Sequence, residues 1–309
     1  MSKQIHALLV GINKYDHSRI ADLKGCKNDV ENIKTYLESR FENPNILTLT
    51  DEQATYQNII NNFRSHLTAN ATKDDIVLFQ YSGHGAREVA AAEFKPFFPE
   101  GKEETLVCYD SRKPDGHDLA DKELAVLVTE VAETGAHVVV LLDCCHSGSG
   151  TREVDDFLLG ATRRTYSRRE ERPLETYIGG YYKRELEETG KVVIPSEKHI
   201  LLAACDRTES ARETKTHTGL FTSTLLKTLK KMGNDISYAD LFLKCRIEII
   251  NESVDQTPQF ESAHLFNAHS RFLDGRDMED LKEKEIHYDD SNGEWVMYYG
   301  ALDGLEITP

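Results

Sequence analysis

Two short apolar runs that break off in reactive side chains limit what this chain can fold into. The first is Asp75-Ile-Val-Leu-Phe-Gln-Tyr81, followed by Ser82-Gly83-His84-Gly85. The second is Ala136–Leu142, followed by Asp143-Cys144-Cys145-His146-Ser147-Gly148. Both are too short for a globular helix, and the second is rich in valine. They read as strands buried on both faces, the kind found inside a parallel sheet. Polar groups at the carboxyl ends of such strands sit where open α/β sheets place their active sites. Neighbouring strands lie about 4.8 Å apart. An imidazole ending one strand and a thiol ending the next can then face each other as a Cys–His dyad.

The rest of the chain supplies the partners such strands need. Ile5–Ile12 reads as a first buried strand, followed by a loop over Asn13–Lys24 and a helix from about Lys27. Asn45–Thr50 is a short strand. Ile59, Ile60, Phe63 and Leu67 recur at helical spacing within Thr55–Thr68. Thr105–Asp110 reads as a strand and Leu119–Thr134 as an amphipathic helix. Lys198–Ala204 is another buried strand, Gly219–Lys231 and Tyr238–Asn251 are helices, and Thr257–Leu265 is a last strand. Strands alternating with helices call for a parallel sheet with right-handed crossovers. Between Gly150 and Glu197 the pattern breaks into basic and acidic residues, which predicts an exposed connector with little core of its own. Beyond Arg271 a charge-rich stretch, Asp274–Glu285, precedes a β-type segment at 293–300.

Composition narrows the function classes. A net charge of −16 over 309 residues argues against nucleic acid or an anionic membrane as partner and favours basic polypeptides. No apolar run approaches the roughly 18 residues of a membrane span. The sequence runs from Met1 straight into a strand, so a cytoplasmic protein without an export segment is expected. The six cysteines show no disulfide framework, and a reducing compartment suits them. Side by side, Cys144, Cys145 and His146 make poor ligand geometry, because adjacent strand residues point to opposite faces. No metal is expected there.

The motifs Tyr81-Ser-Gly-His84-Gly85 and Asp143-Cys-Cys145-His-Ser-Gly148 resemble the two catalytic motifs of the caspase–metacaspase superfamily of cysteine peptidases, in the metacaspase and bacterial orthocaspase form. Gly25-Cys26-Lys27-Asn28-Asp29 resembles a further metacaspase segment. Residues 198–226 resemble the start of the small subunit, and Gln256-Thr257-Pro258 a late motif of it. The resemblance spans roughly residues 4–267. It implies a caspase-like three-layer sandwich: a mostly parallel six-stranded sheet with helices on both faces, here with a small C-terminal β-type extension. Residues 1–149 then form a large-subunit-like part, 150–197 a connector open to self-cleavage, and 198–272 a small-subunit-like part. Residues 273–309 form a linker and extension.

Cys145 is the expected nucleophile. A thiol near pKa 8.5 needs help at neutral pH, which His84 supplies as base before protonating the leaving amine. Read singly, Cys145 could equally be a buried thiol and His84 a satisfied strand-end histidine; the pairing of motifs favours the dyad. The resemblance implies an oxyanion hole from the backbone N–H groups of Gly85 and Cys145. Asp143 lies two residues before Cys145 and shares its face. The resemblance places Asp29 in the same pocket. Two carboxylates suit a guanidinium or ammonium group, so cleavage after Arg or Lys is expected. The plainer readings are a helix-start cap for Asp29 and a solvated strand end for Asp143.

Candidate self-cleavage sites are Arg163, Arg164, Arg168, Arg169, Arg172, Lys183 and Arg184. Many metacaspases need calcium, but around Asp118-Leu-Ala-Asp121-Lys122-Glu123 a lysine replaces an expected acid, and Arg152 another. Fewer hard oxygen ligands argue against calcium, so no cofactor is expected. The reading is a cysteine endopeptidase acting on basic protein or peptide substrates. Its rival is a catalytically silent caspase-like scaffold.

Overall fold

The structure is a computed structural model that describes residues 3–18, 20–97, 100–145, 170–206, 209–253, 255–262, 267–276, 284–289 and 294–299. In chain order its elements are β1 (Ile5–Gly11), α1 (Cys26–Arg40), β2 (Asn45–Thr50), α2 (Tyr56–Asn62), β3 (Ile76–Ser82), β4 (Gly85–Val89), β5 (Lys102–Leu106) and β6 (Leu119–Ala120). There follow α3 (Asp121–Ala132), β7 (His137–Asp143), α4 (Tyr181–Thr189), β8 (His199–Ala203), α5 (Leu220–Met232), α6 (Tyr238–Glu252), β9 (Gln259–Ser262), β10 (Lys284–Asp289) and β11 (Glu294–Tyr299).

Six of these strands form the central sheet in the order β2-β1-β3-β7-β8-β9. Every pairing is parallel except β8 with β9. The middle strands are covered on both faces: every residue of β1 and β3 is buried, and all of β7 but its first. That is why they read as continuous apolar runs rather than alternating ones. One face carries a core that includes Phe63, Phe79, Leu127 and Val140; the other carries Ile33, Leu78, Leu141, Phe221 and Leu241. The mixed α/β sandwich and its mostly parallel sheet match the expected fold class.

Several elements depart from the sequence reading for local reasons. The helical pattern at 55–68 divides into α2, whose Thr55 side chain accepts from Asn58 N, and a π-helical turn over Phe63–Thr68. All four spaced apolar residues are still buried. The strand expected at 105–110 lies at Lys102–Leu106, in a separate antiparallel sheet with β4 and β6. Its inward residues include Glu103, which burial pushes up to about 7 while the Lys122 ammonium holds it back. A strand that buries a carboxylate leaves no hydrophobic alternation to read.

The expected exposed connector is corrected over its described second half. Leu174, Tyr177, Ile178 and Tyr182 join the core. Arg172 is 4% exposed and forks onto Glu123, with Nη1 to Oε2 at 3.0 Å and Nη2 to Oε1 at 2.9 Å. Its guanidinium also lies 4.0 Å from the Tyr177 ring centroid. Charge alternation concealed four buried anchors, because Arg172 reaches its partner Glu123 only in the folded chain. At the C-terminus β10 and β11 pair as an antiparallel hairpin.

Candidate active site

The β3–β7 register sets the site. Ser82 pairs with Asp143, and Gly83 N reaches Asp143 O at 3.4 Å. His84 and Cys145 each stand two residues past these partners, at the carboxyl ends of adjacent parallel strands. Both are buried, at 1% and 0% exposure. Cys144 points into the α3-side core and Cys145 into the opposite one. Only Cys145 therefore shares the face of α1 and α5. Cβ placement explains Gly83: a methyl group there would meet Tyr81 Oη at 2.4 Å and Tyr15 Oη at 2.9 Å.

The loop after β1 holds His84 from the other side. Asp51 accepts from Asn13 N and Lys14 N, and Asn13 Oδ1 accepts from Cys26 N, which fixes the loop's two ends. From it Tyr15 Oη accepts the His84 amide at 2.7 Å, and the ring Nε2 lies 2.8 Å from Ala21 O. Tyr81 Oη donates to His84 O at 2.7 Å. A carbonyl only accepts, so Nε2 must carry a proton, and in the neutral ring Nδ1 is the basic nitrogen. The Ala21 carbonyl thus orients the His84 ring without any side chain. Sequence could not reveal it, since any residue supplies a carbonyl.

Asp29 and Asp143 are buried, and both bind the start of α5. Gly219 N donates to Asp29 Oδ1 at 2.8 Å; Thr222 N and Oγ1 donate to Asp143 Oδ2 at 2.9 and 2.7 Å. A third acid, Glu213, was not singled out from sequence. It is 6% exposed and accepts from Gly25 N at 2.7 Å and from Lys24 N at 3.1 Å. Its backbone bridges Gly219, so it clamps the segment carrying Asp29 to the small-subunit-like part. Gln256 pins the neighbouring chain, accepting from Arg212 N and donating to Ala204 O.

The other thiols differ in kind. All six cysteines are buried and none forms a disulfide. Burial pushes the thiols of Cys108 and Cys205 well up, and that of Cys245 up to about 11. Cys205 lies beside the site, its Sγ 3.4 Å from Cys144 O. A thiol so protonated is a poor nucleophile. A cavity of about 370 Å³ opens on the α3 side, lined by Leu124, Val140, Leu201 and Glu261 among others. Neither His84 nor Cys145 lines it.

A family model described as Caspase domain matches residues 4–269. The chain belongs to the caspase-domain family. Among curated relatives it is similar to Metacaspase-1 of Eremothecium gossypii, at 36% identity over 46% of this chain and 32% of that one. Metacaspase III c of Phaeodactylum tricornutum is 34% identical over 46% of this chain and 42% of that one. The chain therefore spans less than half the length of these relatives. A crystal structure of protein GSU0716 from Geobacter sulfurreducens shares the fold. Its TM-score is 0.62 at 23% identity, covering 88% of this chain and 97% of that one. The family is one of cysteine peptidases, hydrolases acting on proteins.

The basic residues of the connector separate by place. Arg163, Arg164, Arg168 and Arg169 lie outside the described residues, as does His146. Arg172 is not the exposed site expected of it, because it is buried in its pair with Glu123. Lys183 and Arg184 are exposed on α4. Among the described residues no helix is long and apolar enough to cross a membrane.

Proposed function

We propose that this chain is a cytoplasmic cysteine endopeptidase of orthocaspase type that cuts after Arg or Lys. The observation that carries the reading is the Ser82–Asp143 register, which ends two adjacent strands in His84 and Cys145 while Ala21 O orients the ring. His84 Nδ1 takes the thiol proton, and the Cys145 sulfur attacks the substrate carbonyl. The N–H groups of Gly85 and Cys145 receive the oxyanion. As the tetrahedral intermediate collapses, His84 protonates the leaving amine and a thioester remains. Water, deprotonated by the same ring, hydrolyses that thioester and restores the thiol. Asp29 and Asp143 hold the basic side chain before the scissile bond.

The same site cuts the connector in cis or trans, after Arg163, Arg164, Arg168, Arg169, Lys183 or Arg184. Fluorogenic peptides with Arg, Lys or Asp before the scissile bond test the reading on wild type, Cys145→Ala and His84→Ala. Cleavage after Arg and Lys that is lost in both variants is expected. Cleavage after Asp, or turnover that survives in Cys145→Ala, rejects it. Mapping of the termini formed by wild type and Cys145→Ala tests self-processing in the same preparation.

A further inference from the structure

The acidic stretch Asp118–Glu123 is where the family resemblance puts calcium ligands, and the residues present do not fit a divalent ion. Lys122 Nζ lies 2.8 Å from Asp121 Oδ1 and 3.3 Å from Glu103 Oε2, with the lysine side chain 1% exposed and that of Glu103 fully buried. The ammonium stands 5.4 Å from the Phe94 ring centroid. On either side the pattern repeats. Arg112 forks onto Asp118, with Nη2 to Oδ2 at 3.0 Å, and Arg172 forks onto Glu123. Each buried carboxylate of the cluster thus faces a cation that the chain itself supplies.

Calcium takes about six to eight oxygen ligands at roughly 2.3–2.6 Å. Here the space between Asp121 and Glu103 holds an ammonium group, whose charge would repel a second cation in the same place. Among the described residues no group of three or more His, Cys, Asp or Glu side chains could hold a metal.

We infer that Lys122 is a built-in replacement for the divalent cation, so that β5, α3 and the Leu174–Tyr182 segment are held together without metal. The chain is then indifferent to calcium, both in stability and in turnover. The consequence for turnover rests on the peptidase reading; the consequence for binding and stability does not. The exclusion is local, and removing one side chain opens it. With aspartate at 122, three acids converge and a weak calcium site forms, of the kind that binds with Kd of about 10⁻⁴–10⁻³ M.

The test uses the full chain freed of metal with a chelator, titrated with calcium chloride in a calorimeter and melted with and without calcium. Wild type is expected to show no binding heat, no shift in Tm and the same kcat/KM in calcium and in chelator. Lys122→Asp is expected to bind calcium with a Kd of about 10⁻⁴–10⁻³ M and to gain Tm in its presence. Lys122→Gln, nearer in shape, keeps Glu103 and Asp121 and is expected to gain Tm in calcium to a smaller degree. Calcium binding by wild type overturns the inference, as does calcium silence in both variants; if neither variant folds, the wild-type arm decides alone. A chain that cleaves no peptide yet ignores calcium rejects the peptidase reading and leaves this one standing. One that cleaves only with calcium does the reverse.

Discussion

Asp29 and Asp143, which come from opposite halves of the large-subunit-like part, are bound to the two ends of the same helical turn. Gly219 N, at the N-cap of α5, donates to Asp29, and Thr222 N, three residues on, donates to Asp143. A helix start concentrates positive potential and spare N–H groups, so it draws two carboxylates close that would otherwise repel. The arrangement serves either of two roles: acceptors that stabilise the start of α5, which differ from the α1 cap and solvated strand end read from the sequence, or an acidic pocket for a basic side chain.

Asparagine separates those roles. In Asp29→Asn or Asp143→Asn the amide oxygen still accepts from α5, and asparagine caps as well as aspartate does. The negative charge is lost. A pocket role predicts that kcat/KM for an Arg substrate falls by about 10²-fold, or roughly 2.7 kcal/mol, mostly through KM. Tm should move little. Unchanged kinetics would leave the two acids as acceptors for α5 alone, a role asparagine also fills without loss of Tm, and would withdraw the basic specificity.

Glu213 acts one step further out. Its carboxylate satisfies the Lys24 and Gly25 amides just before α1, and so holds the segment that carries Asp29. Glu213→Ala leaves the buried Gly25 amide without its acceptor, at a cost of about 1–3 kcal/mol. It should raise KM for Arg peptides more than it lowers kcat. Glu213→Gln keeps an acceptor oxygen and should restore KM. An alanine variant with unaltered KM but reduced Tm would confine Glu213 to a structural role.

What the sequence disclosed follows from what kind of signal each part left. The buried strands were readable because a strand covered on both faces is apolar throughout, and each ended in an unusual polar residue. The β4–β6 sheet was hidden because its buried face carries Glu88, Glu103 and Thr105, whose partners lie far along the chain. The packed 172–182 segment was hidden for the same reason, since Arg172 looks like any solvated arginine until Glu123 is placed beside it. Ala21 and Tyr15 left no trace at all: one contributes a carbonyl, the other a hydroxyl from an ordinary loop. At the site, residues chosen for side-chain chemistry were visible, and those that orient them were not.

Arg172 gives that contrast a measurable form. Removing it leaves Glu123 buried without its cation, which costs about 3–5 kcal/mol. Arg172→Met should therefore lower the urea midpoint strongly. Arg172→Met with Glu123→Gln should recover much of the loss, because no uncompensated charge remains. The pairing also shields the bond after Arg172 in the native chain, so mapped self-cleavage termini should exclude that bond. A native-state cut there, or a single variant as stable as wild type, would contradict the buried pair.

At the far end of β7 a second buried group couples stability to pH. His137 bonds the Tyr238 hydroxyl at 2.7 Å, and its pKa is lowered to about 3, first by burial and then by Lys3 and Lys198; Asp274 opposes the shift. Above the unfolded value of 6.5 the ring is neutral in both states, and its full contribution is present. As pH falls below 6.5 the unfolded chain takes a proton that the folded ring refuses, so stability drains away until about pH 3. The whole shift would amount to roughly 5 kcal/mol, but the ring keeps some exposed surface, so a loss of roughly 2 kcal/mol is the better expectation. His137→Gln retains a partner for Tyr238 and does not titrate. Urea midpoints measured from about pH 7.5 down to about pH 4.5 should fall more steeply for wild type than for the glutamine variant across this window. Parallel curves would mean that the ring takes up its proton without cost and that acid sensitivity arises elsewhere.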